Sequence, residues 1–232
     1  MTTVYWTPTL TQGDTVMNEA DILFEEPKPL MRELLGKYKN HTFMRCPSVQ
    51  AYCKNAFVIS APMDAEVLMT KQSDGNISLF VTGDGWDQTF YQAFCEVRED
   101  GTVSMPPAYL FYVKGSLEIE SLPLFLLESP STENVLPVPG GFNIGKWVRS
   151  VDFTFVIKDP TKPVKIRRGD PLFIVRFKTD ERIEFERVEF TSALKDIVSA
   201  CVRVKKRVTN LPLATLYEMA KTRLSLFFKG MK

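Results

Sequence analysis

Lys146, Trp147 and Arg149 set two cations around an indole. An indole face attracts cations and stacks on other rings, and cations neutralise an anion, so this group is suited to a planar anionic ligand. The plainer role is a tryptophan that pins a loop to the body of the protein. A second string runs Lys165, Ile166, Arg167, Arg168, Gly169, Asp170, Pro171, Leu172. Its basic approach, Gly-Asp-Pro turn and apolar continuation read as strand, turn and strand. Arg167, Arg168 and Asp170 join the first three as candidate ligand-binding residues. A third string, Lys205, Lys206 and Arg207, is the densest basic cluster. At the end of a helix such cations complement the dipole, and they also suit an acidic partner surface or nucleic acid.

Other chemistries find little support. Neither a G-x-x-x-x-G-K-[ST] loop nor a G-x-G-x-x-G string occurs. Gly140-Gly141 is followed by no clear helix, as a phosphate cradle would require, and reads as a turn. His41 is the single histidine, in a polar stretch, which excludes a multi-histidine metal centre. Cys46, Cys53, Cys95 and Cys201 have no C-x-x-C spacing and read as free thiols. Glu181, Glu184, Glu186 and Glu189 interleave with Arg182 and Arg187, the pattern of a solvated strand face. Neither a metal nor a cofactor is expected. The motifs weigh against an enzyme, and a catalytic set is not assigned.

The elements that must hold these residues are mostly strands. Apolar alternation marks Val4–Leu10, Phe57–Ser60, Glu66–Thr70, Ile77–Val81, Phe90–Arg98, Ala108–Lys114, Leu117–Glu120, Val151–Ile157, Val164–Arg167, Leu172–Phe177 and Ile183–Phe190, with a short segment at Asp21–Glu25. Ser73–Asn76 and Gly115-Ser116 have hairpin turn chemistry. Residues 29–39 space Met31, Leu34, Leu35 and Tyr38 as a short amphipathic helix, and Cys46–Asn55 adds a turn or two. Ser129–Gly141, with Pro130, Pro137 and Pro139, reads as a long irregular loop that extends to Arg149. After Phe190 the period changes to 3.6. Thr191 or Ser192 caps a helix carrying Leu194, Ile197, Val198 and Cys201, and Asn210-Leu211-Pro212 separates it from a second. The expected fold is α+β: a β-rich body over 1–190, sandwich or barrel-like and mostly antiparallel, with a short N-terminal helix, then a basic helical segment over 191–232 that packs on the body or extends from it.

Composition fits that frame. The 232 residues are 44% hydrophobic and 12% aromatic, enough for a large core, and the net charge is +1. From Lys195 onward nine basic residues stand against two acidic, whereas the rest carries 20 basic against 26 acidic. Such asymmetry suits an interaction tail or a tail that docks on its own acidic body. No apolar run reaches the roughly 20 residues that span a bilayer, and the first residues, MTTVYWTPTL, lack a signal-peptide pattern.

Two resemblances add expectations. The Lys165–Leu172 string resembles a strand–turn–strand piece of the β-clip fold of deoxyuridine triphosphatases and deoxycytidine triphosphate deaminases, without those enzymes' catalytic acidic loop. The runs Arg45-Cys46-Pro47-Ser48 and Lys54-Asn55-Ala56-Phe57-Val58-Ile59-Ser60-Ala61-Pro62-Met63-Asp64 resemble uncharacterised proteins of large tailed, T4-like marine bacteriophages. So do Phe142 to Arg149, Phe153-Thr154-Phe155 and Arg168 to Leu172. That likeness spans about residues 20–180. It implies a viral origin and a place in the host cytoplasm or the virion. The expected function is non-catalytic binding of a host or phage macromolecule through the basic C-terminal segment, the 129–149 loop or both. The partner is a protein, or nucleic acid at the basic segment, and not a membrane. A small-molecule or nucleotide-binding enzyme with a β-clip or cupin-like body and a virion structural component are the alternatives.

Overall fold

A computed structural model describes residues 1–9, 24–71, 77–83, 95–207, 212, 215 and 224–227; for Lys71, 106–108 and 202–207 it describes the backbone alone. The expected turn at Ser73–Asn76 and most of the expected strand at Phe90–Arg98 lie outside the described residues. So do the side chains of Lys205, Lys206 and Arg207.

The fold is β-rich α+β with mostly antiparallel sheets. One sheet orders β14 (Ile183–Arg187), β1 (Thr2–Pro8), β7 (Thr102–Tyr112), β11 (Ser150–Ile157) and β9 (Val135–Pro137), with β6 (Glu96–Val97) also on β7. A second orders β10 (Gly140–Asn143), β8 (Glu118–Leu122), β13 (Pro171–Phe177), β3 (Ala56–Ser60) and β2 (Lys28–Pro29). A small third sheet holds β12 (Val164–Ile166), β4 (Ala65–Lys71) and β5 (Ile77–Thr82). Among the described strands only β1 and β14 pair in parallel.

The two larger sheets face each other across one core. Every second residue of β11, from Val151 to Ile157, is buried there. Phe153 stacks on Phe173 at 5.9 Å, and Phe111 meets Phe177 edge-on at 5.7 Å, so aromatic contacts join the sheets directly. The outer faces are covered as well. Leu30 and Leu34 of α1 (Leu30–Tyr38), Met44, and Cys53 of α2 (Pro47–Cys53) pack on Val58 and Ile174 of the second sheet. Leu194, Ile197, Val198 and Cys201 of α3 (Ser192–Arg207) pack on Leu110 and Tyr112 of the first sheet. Thr191 caps α3: its Oγ1 accepts the Leu194 N–H at 3.3 Å. Burial on both faces explains why β13 reads Leu172-Phe173-Ile174-Val175 without alternation.

Several sequence expectations change. Gly115-Ser116 is not a hairpin turn, because β7 and β8 belong to different sheets and the chain crosses the sandwich there. The Arg167–Asp170 turn is a turn between strands as expected, and it carries the chain from the small sheet to the second. The strand expected to start at Ala108 starts at Thr102 and runs through Pro106-Pro107, where its pairing with β11 slips; a bulge tolerates the missing donors. Phe24 and Glu25 are not strand, although Phe24 is buried. The expected loop over Ser129–Gly141 contains β9 and the start of β10. Prolines at Pro137 and Pro139 disguised them, since an edge strand needs donors on one side only.

The four thiols differ in environment. Backbone N–H groups of Val49 and Ser48 lower the Cys46 pKa at the start of α2. Burial raises Cys53 and pushes Cys95 up to about 12, and Cys201 is 2% exposed. In the native protein at neutral pH, iodoacetamide should label Cys46 first, because the thiolate is the reacting species. Peptide mapping after partial alkylation checks this, and earlier labelling of Cys53 or Cys95 would contradict it.

Candidate functional site

The outer face of the second sheet is only partly covered. Where α1 and α2 lie over it, its residues are apolar. Beyond them the row Gly141, Glu120, Arg176 crosses β10, β8 and β13, and the row of Asn143 and Glu118 follows. These polar rows form an open shelf because the helices end before them. α2 stops at Cys53, and Asn55 then takes a left-handed φ of 56°. Asparagine tolerates that conformation. Its side-chain amide donates to Thr179 O at 2.8 Å and Glu181 O at 2.7 Å, and its own carbonyl accepts the Phe177 N–H. Lys54 Nζ donates to Asp180 O at 2.6 Å. The end of α2 is thereby tied to the turn after β13.

On the shelf, Arg176 donates to Glu120 from two nitrogens and lies 4.2 Å above the Tyr52 ring. Tyr52 in turn meets Phe125 edge-on at 5.5 Å. Lys178 Nζ reaches Glu120 Oε1 at 2.7 Å and Glu118 Oε2 at 3.4 Å. Lys178, and then Arg176, hold the Glu120 carboxyl below its ordinary value of 4.5, and Glu120 and Glu118 raise Lys178. Beside this network lies a groove of about 530 Å³, whose lining includes Pro139, Gly140, Gly141, Asn143, Lys146 and Lys178. A shallower hollow of about 300 Å³ reaches from Lys178 past Arg176 to Tyr52 and Lys54. Gly141 has no room for a side chain against β8: a Cβ there would sit 2.9 Å from the Ile119 carbonyl oxygen, closer than real Cβ contacts come.

The ion pairs make a pH prediction. A carboxyl whose folded-state pKa is depressed adds stability above its unfolded value and loses it as pH falls through the folded one. The stability difference between the protein and Glu120→Gln should therefore hold at neutral pH and shrink from about pH 4.5 downward. Paired urea titrations from pH 7 to pH 3 measure it. A difference that does not change with pH would show that the pairs contribute nothing net, as exposed ion pairs often do.

The candidates from the sequence separate in space. Lys146 lines the groove. Arg149 lies 5.5 Å from the Phe142 ring. Trp147 is 3% exposed and packs with Val148 against α3, so its indole faces no ligand. Arg167, Arg168 and Asp170 lie at the opposite end of β13, about 20 Å away at the usual rise per residue. There they form a clasped turn. Ser131 Oγ donates to Asp170 Oδ2 at 2.7 Å and accepts the Arg167 N–H at 2.9 Å, while Asp64 accepts the Arg168 N–H at 2.8 Å. Gly169 turns with a φ of 84°. These six residues thus do not converge on one pocket.

Tyr52, Glu118, Glu120, Arg176 and Lys178 escaped the sequence reading. One signal was present: Arg176 interrupts an otherwise apolar strand. Among the described residues no group of His, Cys, Asp and Glu is placed to hold a metal ion, and no helix is long and apolar enough to cross a membrane. Comparison with protein-family models, curated proteins and solved structures finds no match.

Proposed function

We propose that this is a phage-encoded, non-catalytic binding protein that holds a host or viral macromolecule on the Tyr52–Arg176–Glu120–Lys178 shelf and in the groove beside Lys146. One observation carries the reading: the region 129–149 supplies an edge strand to a concave, ion-paired surface rather than a catalytic cluster. Tyrosine and arginine held rigid beside a groove are the residue types that dominate binding at interfaces. Here the Tyr52 stack and the Glu120 pair fix Arg176 before any partner arrives, which lowers the ordering cost of binding.

The test places a photo-crosslinking residue at position 146, at position 52, or at Lys165 on β12, and irradiates the full chain in infected-cell lysate. Positions 146 and 52 should trap the same partner through neighbouring peptides of it, and position 165 should not. Identical yields at all three positions, or no product at 146 and 52, would sink the proposal.

A further inference from the structure

We propose that the free edge of β14 accepts an extended segment of a partner protein as an added strand, with cationic side chains of that segment opposite Glu184 and Glu186. This edge belongs to the other large sheet, and the inference does not depend on the shelf reading above.

The register identifies the open backbone groups. Thr2 N–H donates to Arg182 O at 2.9 Å, and Val188 N–H donates to Trp6 O at 2.9 Å. The parallel register runs from Thr2–Ile183 to Trp6–Arg187, so Thr2, Val4 and Trp6 bond to Arg182, Glu184, Glu186 and Val188. Residues that bond to one neighbour alternate with residues that face the other way. The N–H and C=O of Ile183 and of Phe185 therefore point away from β1. β14 ends the sheet, and among the described residues nothing takes these groups. Their repeat, roughly 7 Å along the strand, is that of another polypeptide strand.

The two faces of this edge select different side chains. Ile183 and Phe185 face the core. Phe185 lies 4.8 Å from Phe57 and 5.7 Å from Phe177, yet it is only half-buried, because the sheet stops beside it. An apolar residue opposite Phe185 would extend that aromatic cluster. Glu184 and Glu186 face the other side, in rows with Thr3 and Tyr5. Glu184 is half-buried and Glu186 exposed, and among the described residues neither is in an ion pair. The Lys114 ammonium stands over the Tyr5 ring at 5.9 Å, one strand in from the edge. Arg182 precedes the strand. Cross-strand pairs act between residues directly opposite each other, so the places facing Glu184 and Glu186 are the ones that favour a cation.

The other outer edges of the two large sheets make no such selection. On β9, Pro137 has no N–H to offer. β2 is two residues long and contains Pro29. β10 carries no charged side chain. A second copy of the chain fits β14 poorly: a two-fold at Phe185 sets Glu184 of each copy against Glu186 of the other, and like charges directly opposite are destabilising. The carboxylates that oppose self-pairing favour a strand with cations at those two positions. The first 194 residues carry 20 basic against 26 acidic, an excess that draws a cationic segment toward them. The occupant is therefore an extended protein segment in which cationic and apolar residues alternate.

The probe is a capped, threonine- and valine-rich peptide of about eight residues with two lysines flanking a central isoleucine. It is titrated into the full chain labelled with ¹⁵N-isoleucine and ¹⁵N-phenylalanine. The expected result is slowed amide exchange at Ile183 and Phe185. A peptide with glutamates in place of the lysines should bind about tenfold more weakly, and N-methylation of one alternate set of peptide amides should abolish binding. Glu184→Lys combined with Glu186→Lys should reverse the preference between the two peptides while the circular dichroism stays unchanged. Equal affinity for the two peptides, or full binding of both methylated forms, would overturn strand addition. So would an absence of protection at Ile183 and Phe185 with the lysine peptide at roughly 1 mM, the weak end of specific binding. Protection that appears without peptide and vanishes on dilution would also overturn it, because the occupant would then be a second copy of the chain. Crosslinking at positions 146 and 52 reports on the shelf alone, so either reading can fail without the other.

Discussion

Phe111→Ala is expected to lower the unfolding free energy by about 3–5 kcal/mol, the usual cost of emptying a buried phenylalanine site. Phe111 is fully buried and bridges the two large sheets. It lies 5.8 Å from Tyr109 on its own strand, 5.7 Å from Phe177 across the core and 6.1 Å from Phe185 on β14. Rigid strands on both sides prevent the hole from closing, so the cost should fall in the upper part of that range. At this chain length the loss corresponds to a fall of roughly 10 °C in melting temperature. Phe80→Ala is the control. Phe80 is 43% exposed on β5, and its removal should change stability by no more than about 0.5 kcal/mol. Urea unfolding of both variants measures the contrast. Equal effects would contradict the sandwich core.

Gly145→Ala is expected to cost about 3 kcal/mol, at or above the upper end for overpacking. A Cβ at Gly145 would overlap the carbonyl oxygen of Gly115 and sit 2.7 Å from its carbonyl carbon. Both groups are backbone, so no side chain can swing away. The two loops are also tied together: Asn143 donates to Ser116 Oγ at 2.8 Å, and Ile144 N–H donates to Leu117 O at 2.9 Å. Relief therefore requires moving β10 relative to β8, which displaces Lys146 and opens the groove. The variant should lose partner binding as well as stability. Gly140→Ala, five residues earlier at the start of β10, has open space for its methyl and should change stability by no more than about 0.5 kcal/mol. Chemical denaturation of the pair measures the difference, and a neutral Gly145→Ala would show that the loops do not touch as described.

Much of the fold was legible because local pattern and final environment agree. Val151 to Ile157 alternate, and the alternation is one buried face. Leu194, Ile197, Val198 and Cys201 recur at helical spacing, and that stripe packs on the first sheet. The failures have a common cause. Gly115-Ser116 shows ordinary hairpin chemistry, but a turn does not record whether the strands it joins pair or part. Prolines at 130, 137 and 139 suggested loop, whereas Pro137 ends the edge strand β9, Pro139 lies between β9 and β10, and Pro130 opens a short 3-10 turn. Trp147 between two cations suggested a ligand platform, yet its indole packs against α3.

The opening group of cations and rings therefore divides. The sequence by itself determined the strand-rich composition, the apolar faces of most strands and helices, a cap at Thr191 or Ser192 and the part of the 129–149 region that contributes Lys146. These depend on neighbours a few residues apart. Only the tertiary structure decided that Lys146 belongs with Arg176, Glu120, Lys178 and Tyr52, and that Arg167 to Asp170 lie at the far end of β13. Those residues come from α2, β8, the segment after β10 and β13. Their proximity follows from which sheet each strand joins and where the covering helices stop, and neither is written in any local run of residues.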